Sequence, residues 1–313
     1  DEKGANRTPT DSEIEYCRPN LFHVIEEKKP ETIILLGASA VKSVIGWLWK
    51  EDVGAIGRWI GWQIPSHGFN AYICPMWHPS YLIRQERSNS VEELIFKTHL
   101  KSSCGLKGRP WKEIPDLKTR IKISFNTDEV IKEICYFIEL GNPIAFDFET
   151  EGLKPDNDDL KIVSCAISNG EKTIAYLWRG ETIEWTKKLL LSDVPKIGYN
   201  CKYEHRWAKV KLGIEVNNWI WDGMLAAHTL DNRPNINSLK FQAFVLLGAE
   251  SYDNHVKPYL LSNGSNTKNR IKELDPTELL VYNGMDALLE FNVAKIQMSK
   301  MNANDFSHTD DHK

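Results

Sequence analysis

A chain of 313 residues, 42% of them hydrophobic, is long enough for two domains with packed cores at about 100 to 200 residues each. No apolar run can span a bilayer, and the opening DEKGANRTPT lacks the basic and apolar regions of a signal peptide, so a soluble cytoplasmic protein is expected. A formal net charge of −4 offers no global attraction to nucleic acid, and six cysteines scattered singly, with no Cys-x-x-Cys pair, argue against a disulfide scaffold or a zinc ribbon.

The first residue is Asp1 rather than Met and stands in a polar stretch, which suggests a piece of something longer. From Asp11 to Lys29, Ile14, Cys17, Leu21, Val24 and Ile25 fall near helical spacing, and Pro30 ends the helix. ETIILLGASAVKSVIGWLWK reads as a buried strand, a turn at Gly37 and an amphipathic helix; FNAYICPMWHPSYLIRQ reads as a strand running into a turn and a helix. With a last helix from Val91 to Ser103, this order implies a small α/β unit. Between Lys101 and Lys122, Gly, Pro and seven Lys or Arg against Glu113 and Asp116 mark a basic linker, either solvated or touching phosphate.

Beyond it strands and helices alternate. A helix from Thr127 to Leu140 leads into a strand from Ile144 to Phe148. KIVSCAISNGEKTIAYLW then reads as a hairpin turning at Asn169-Gly170, a pair suited to mirror-image turns. A helix from Glu184 to Leu191, a short strand through Ile197, a helix opened by Asn200, a strand from Trp219 to Trp221 and a helix capped by Asp222 follow. The remainder is predicted mostly helical, apart from a polar loop, Ser262 to Arg270. Asp275, Pro276 and Glu278 form the start signature of the final helix.

Two short patterns carry chemistry. In NPIAFDFETEGLKP, Asp147 and Glu149 are two apart on a strand and therefore share a face, either crowded around a cation or solvated on an edge. Tyr282 and Asp286, in LLVYNGMDALLEF, are four apart and share a helical face, a spacing that also suits a buried Tyr beside a solvated Asp.

Together with IGYNCKYEHRW at a strand-to-helix junction, these patterns resemble, in order, the DEDDy 3′-to-5′ exonucleases of the DnaQ-like, ribonuclease H-like superfamily, and most of all the proofreading domain of family-A DNA polymerases. The first motif is carried by Phe146, Asp147, Glu149, Thr150 and Leu153, and the second by Asn200, Lys202, Tyr203 and Glu204. WDGMLAAHTLDNR and INSLKFQAFVLLG are similar to the intervening helices. The resemblance covers about 121–302. It implies a mixed sheet flanked by helices and a two-metal mechanism, with Mg²⁺ or Mn²⁺ ions roughly 3.5 to 4 Å apart. Asp147 would bridge both ions, Glu149 and Asp286 would complete the first, and Glu204 would support the second through water. Tyr282 would orient the attacking water, Leu153 would wedge beside the terminal base, and Asn200 and Tyr203 would position a frayed strand. Glu204 departs from the family's usual Asp, and its longer arm reaches the same water only if its helix sits slightly further back.

NRTPTDSEIEYC, ETIILLGASAV and CPMWHPSYLIR resemble the C-terminal half of family 4 uracil-DNA glycosylases over about 6–103. The resemblance places His78, with Ser80, near uracil or its developing anion. The family's first half is not in this sequence, so this part is expected to be inactive as given. Cys17 alone matches a cluster ligand, and no iron-sulfur cluster is expected.

The expected organisation is a partial α/β glycosylase-like domain at 1–104, a linker at 105–120, the exonuclease domain at 121–305 and a polar tail at 306–313. The implied substrate is a single-stranded DNA 3′ end, with a separate DNA polymerase as the implied partner, no membrane, and a phage-encoded protein of replication or repair in a bacterial cell. Three alternatives stand beside it: an RNase D-like trimming of RNA, a non-catalytic DNA-binding module, and uracil excision if the missing half exists.

Overall fold

The structure, a computed structural model, describes residues 7–50, 52–84, 90–264 and 266–302. The predicted polar tail at 306–313 lies outside the described residues, as do Gln85 and Ser265 of the predicted helix and loop. The chain divides into two compact units, 1–115 with 244–251, and 116–243 with 252–313.

In the first unit α1 (Asp11–Lys28) opens on a capping box: the Thr10 hydroxyl accepts from the Glu13 N–H, and the Glu13 carboxylate accepts from the Thr10 N–H. β1 (Thr32–Leu36), α2 (Ala38–Trp49) and β3 (Ala71–Met76) form a strand-helix-strand unit whose two strands are parallel. Val41, Val44, Ile45 and Leu48 of α2 are buried with Ile73 of β3. β2 (Ile64–Ser66) pairs antiparallel with β3 and escapes sequence reading, because three residues centred on Pro65 show no alternation; Pro65 is tolerated because β2 is an edge strand. α3 (Pro79–Ile83) and α4 (Val91–Cys104) follow.

The second unit is a six-stranded mixed sheet in the order β4-β7-β6-β5-β8-β9, flanked by helices, the architecture the exonuclease resemblance implies. Its strands are β4 (Ile121–Ser124), β5 (Ile144–Thr150), β6 (Ile162–Ser168), β7 (Thr173–Leu177), β8 (Lys196–Gly198) and β9 (Trp219–Asp222). Its helices are α5 (Thr127–Leu140), α6 (Glu181–Leu191), α7 (Cys201–Trp207, continuing as a π-helical stretch Ala208–Leu212), α8 (Gly223–Leu230), α9 (Leu239–Leu247, whose first turn belongs to this unit), α10 (Lys257–Leu260) and α11 (Pro276–Lys300). β5, β6 and β7 are antiparallel; β5, β8 and β9 run parallel, as do β4 and β7. The hairpin turns one residue later than its sequence suggests, on Gly170-Glu171. Asn169 and Lys172 are paired across the turn, and of the two turn residues Gly170 takes the positive φ.

Strand alternation sorts β5 between two cores. Ile144, Phe146 and Phe148 join Val130, Ile134, Phe137 and Trp207 on one side. Ala145 packs with Phe291 and Ala294 of α11, so Asp147 and Glu149 are presented on the α11 side. α11 also packs on Ala166 and Ala175, and a methyl group on Gly284 would stand 2.5 Å from Ile121 Cγ2, so the helix lies tight against the sheet.

Candidate active site

Asp147 and Glu149 leave β5 on the α11 side, and Asp286 comes from the third turn of α11. That helix is fixed at its start by Asp275, whose carboxylate accepts from the N–H groups of Thr277 and Glu278. One oxygen from each of Asp147, Glu149 and Asp286 lies within 4.8 Å of the other two, and among the described residues this is the group of three that could share an ion. Three hard carboxylate donors at that spacing suit a divalent cation.

The acids are not left to repel one another freely. Lys240 of α9 forms an ion pair with Asp286, and the Tyr252 hydroxyl donates to the same oxygen. The Lys240 ammonium also donates to Tyr252 Oη at 2.7 Å and lies over the faces of Tyr252 and Tyr282, 4.3 and 4.7 Å from their ring centres. Asn283 donates to Asp147 Oδ2 at 2.6 Å and is itself oriented by Ser164, whose hydroxyl donates to Asn283 Oδ1 at 2.9 Å. Burial and the neighbouring Asp286 push the Asp147 carboxyl up to about 7, with Lys240 and Asn283 opposing. Glu149 is raised well above the usual carboxyl range by burial, Asp147 and Asp286. Such a centre holds protons near neutral pH unless a cation replaces them.

The other residues singled out in the sequence are distributed around this group. Tyr282 is buried one helical turn before Asp286, and burial and the charge of Asp286 raise its phenol. Glu204, in α7, is 3% exposed and lies outside the three-acid group; burial and the charge of Asp147 raise its carboxyl. Asn200 opens α7 in the left-handed conformation (φ 71°), with its N–H and that of Cys201 donating to Asp222, which also caps α8. The Tyr203 hydroxyl meets Thr150 Oγ1 at 2.6 Å and donates to the Gly152 carbonyl, so it braces the turn that carries Leu153, itself 60% exposed. The polar loop is tied to the same turn: Asn269 donates to the carbonyls of Thr150 and Glu151, and Lys268 and Lys272 pair with the buried Glu151 carboxylate at 2.7 and 3.0 Å.

Lys240, Tyr252, Asn283 and the buried Glu290 were not found by sequence reasoning. Asn283 and Glu290 share the helix of Tyr282 and Asp286, but nothing local marks them; Lys240 lies in INSLKFQAFVLLG, whose likeness to the family's helices singles out no residue, and Tyr252 lies in a segment with no local mark.

In the first unit the exposed His78 caps α3: its Nδ1 accepts from the Ser80 N–H at 3.1 Å and lies 2.7 Å from the Ser80 hydroxyl. Gly37 allows this approach, since a Cβ there would lie 3.0 Å from that of His78.

Residues 123–302, more than half of the chain, match the 3′-5′ exonuclease family, and residues 3–98 match the uracil DNA glycosylase superfamily. The chain is 24% identical over 259 residues to a DNA polymerase of Bacillus phage SP01, covering 73% of this chain and 27% of that protein. It is 30% identical over 102 residues to the type-4 uracil-DNA glycosylase of Thermotoga maritima, covering 33% of this chain and 50% of that one. The chain thus spans about a quarter and about half of these two relatives. Similar solved structures include the catalytic core of RRP6 from Trypanosoma brucei (15% identity, TM-score 0.45, 62% of this chain and 52% of that one) and Escherichia coli RNase D (13%, 0.41, 58% and 45%).

Proposed function

Since the chain belongs to the 3′-5′ exonuclease family, we propose that its 121–305 part removes nucleotides from single-stranded or frayed DNA 3′ ends, as a proofreading-type enzyme of replication or repair. The observation that carries this reading is the convergence of Asp147, Glu149 and Asp286 from two elements into one group of oxygens within 4.8 Å. Asp147, Glu149, Asp286 and Glu204 would hold two divalent ions, Mg²⁺ or Mn²⁺. When bound, those ions supply Lewis-acid activation of water and charge stabilisation for in-line cleavage of a phosphodiester.

The chain's own residues do the rest. Tyr282, one turn before Asp286 on the same face of α11, would orient the attacking water. Leu153, exposed on a braced turn, would wedge beside the terminal base, and Tyr203 and Asn200, at that turn and at the start of α7, would position the strand. Asn283 holds Asp147 in one orientation, which keeps that carboxylate set before substrate arrives. The phage polymerase relative supports DNA as substrate and a polymerase as working partner. For residues 3–98 we infer a glycosylase-like module without uracil excision, in which the exposed His78 caps α3.

Matched 5′-labelled DNA and RNA oligonucleotides, digested with Mg²⁺ or Mn²⁺, test the reading. Shortening from the 3′ end of DNA, lost in Asp147→Ala, is expected; undiminished activity in that variant sinks the site, and faster digestion of RNA replaces the substrate with RNA.

A further inference from the structure

The end of the polar loop supplies nothing to the acid group, yet it is fastened to the turn that follows β5. The Asn269 N–H donates to the Glu151 carbonyl at 2.8 Å and its amide donates to the Thr150 carbonyl at 2.9 Å, while Asn157 donates to the Asn266 carbonyl at 3.0 Å. Gly152 permits the approach, since a Cβ there would lie 2.7 Å from Leu160 Cδ1 and 3.1 Å from the Thr267 carbonyl oxygen. Leu153, 60% exposed, is the next residue of the turn so fixed.

One buried acid sets the cations of this surface. Glu151 is 1% exposed, and its Oε1 pairs with the ammonium groups of Lys268 at 2.7 Å and Lys272 at 3.0 Å. A buried carboxylate needs a countercharge, and one lysine would meet that need. Two ammoniums on one carboxylate leave an excess of positive charge, held in place. Both lysine side chains stay open to solvent, 54% and 50% exposed, and each ammonium has three N–H donors, more than a shared carboxylate oxygen can occupy.

A single strand whose 3′ end reaches three carboxylates brings phosphates that those acids repel, and the chain's net charge of −4 offers no general attraction. Cations fixed along the path of the strand offset that repulsion. We propose that Lys268 and Lys272 contact phosphates of the bound single strand whose terminal base lies beside Leu153, and that Glu151 is the residue that positions both. This rests on the exonuclease reading above, which brings the strand to this turn, and deepens it by naming two further strand-binding residues.

The test is the affinity of the whole chain for a fluorescent single-stranded DNA oligonucleotide, read by anisotropy across a salt series with divalent ions chelated so that the strand stays intact. Each phosphate contact to a single strand adds about 0.7 to the fall of log affinity with log salt concentration. Lys268→Gln/Lys272→Gln is expected to flatten the wild-type slope by about 1.4, and Glu151→Gln, which keeps both cations, is expected not to flatten it. A pin that only holds the loop would be broken alike by either change. If the lysine variant does not fold with Glu151 left unpaired, Glu151→Gln/Lys268→Gln/Lys272→Gln is measured instead, with the same flattening expected. An unchanged slope in the folded lysine variant, an equal flattening in Glu151→Gln, or wild type that does not bind the strand overturns the inference. Digestion with Mg²⁺ is followed on the same preparations: wild type that shows the lysine-dependent slope but shortens no 3′ end supports the phosphate contacts and fails the exonuclease reading alone.

Discussion

At the scale of single residues, the acid group is governed by its non-acidic neighbours. Protons and a divalent ion compete for Asp147, whose carboxyl is held at about 7. Mn²⁺ affinity is therefore expected to fall as pH drops below about 7, and a titration series across pH 6 to 8.5 measures it. Lys240 lowers the carboxyls of Asp147 and Glu149. In Lys240→Met those acids ionise less readily, so the pH midpoint of Mn²⁺ binding is expected to move upward; a midpoint that stays or falls contradicts the role given to Lys240. Asn283→Ala removes the donor to Asp147 Oδ2 and is expected to weaken Mn²⁺ binding about 10-fold, within the range seen for groups that orient metal-binding side chains.

The elements matter because they fix which side chains can meet. Gly284 sits inside α11, where glycine costs about 1 kcal/mol against alanine, yet an added Cβ would lie 2.5 Å from Ile121 Cγ2. Gly284→Ala is expected to lose about 1 to 3 kcal/mol to overpacking, partly offset by helix propensity. By displacing Tyr282 and Asp286 it should lower kcat by up to about 100-fold. Thermal melts and single-turnover digestion separate the two effects. The acid patterns were legible in the sequence because both rest on local periodicity: two-residue alternation for Asp147 and Glu149, one helical turn for Tyr282 and Asp286. Glu290 and Asn283 share that helix, but amid an apolar run nothing local distinguishes a buried carboxylate facing the acids from one in solvent. Lys240 and Tyr252 come from α9 and the segment after it, and no spacing rule connects residues 34 or more apart to Asp286. β4 was hidden by its basic surroundings, and β2 by its length and Pro65.

For the whole molecule, a buried set of carboxyls with raised pKa values links stability to pH and metal. The folded chain binds protons at Asp147 between about pH 4 and 7 that the unfolded chain has released, and Glu149, Glu204 and Glu290 are shifted in the same direction. The contribution of Asp147 to stability is full below the ordinary carboxyl pKa and is lost as pH rises through about 7, and the three glutamates act in the same direction. Metal-free protein is therefore expected to melt at a lower temperature at pH 8 than at pH 6, as far as these groups decide it, and saturating Mg²⁺ or Mn²⁺ is expected to narrow that gap. Calorimetry with and without a chelator measures both. The composition changes near Lys101 to Lys122, whereas the assignment of 244–251 to the first unit depends on where the chain returns rather than on local pattern.

The central claim is that Asp147, Glu149 and Asp286 form a divalent-metal centre that cuts at a DNA 3′ end. A crystal of the whole chain grown with a short single-stranded DNA and Mn²⁺, read by anomalous scattering, tests it most directly. The account predicts anomalous peaks between those three carboxylates and the last phosphodiester, with the 3′-terminal base against Leu153. Density for the DNA 3′ end at this cleft with no Mn²⁺ among the acids, or Mn²⁺ and DNA bound together elsewhere, would contradict it.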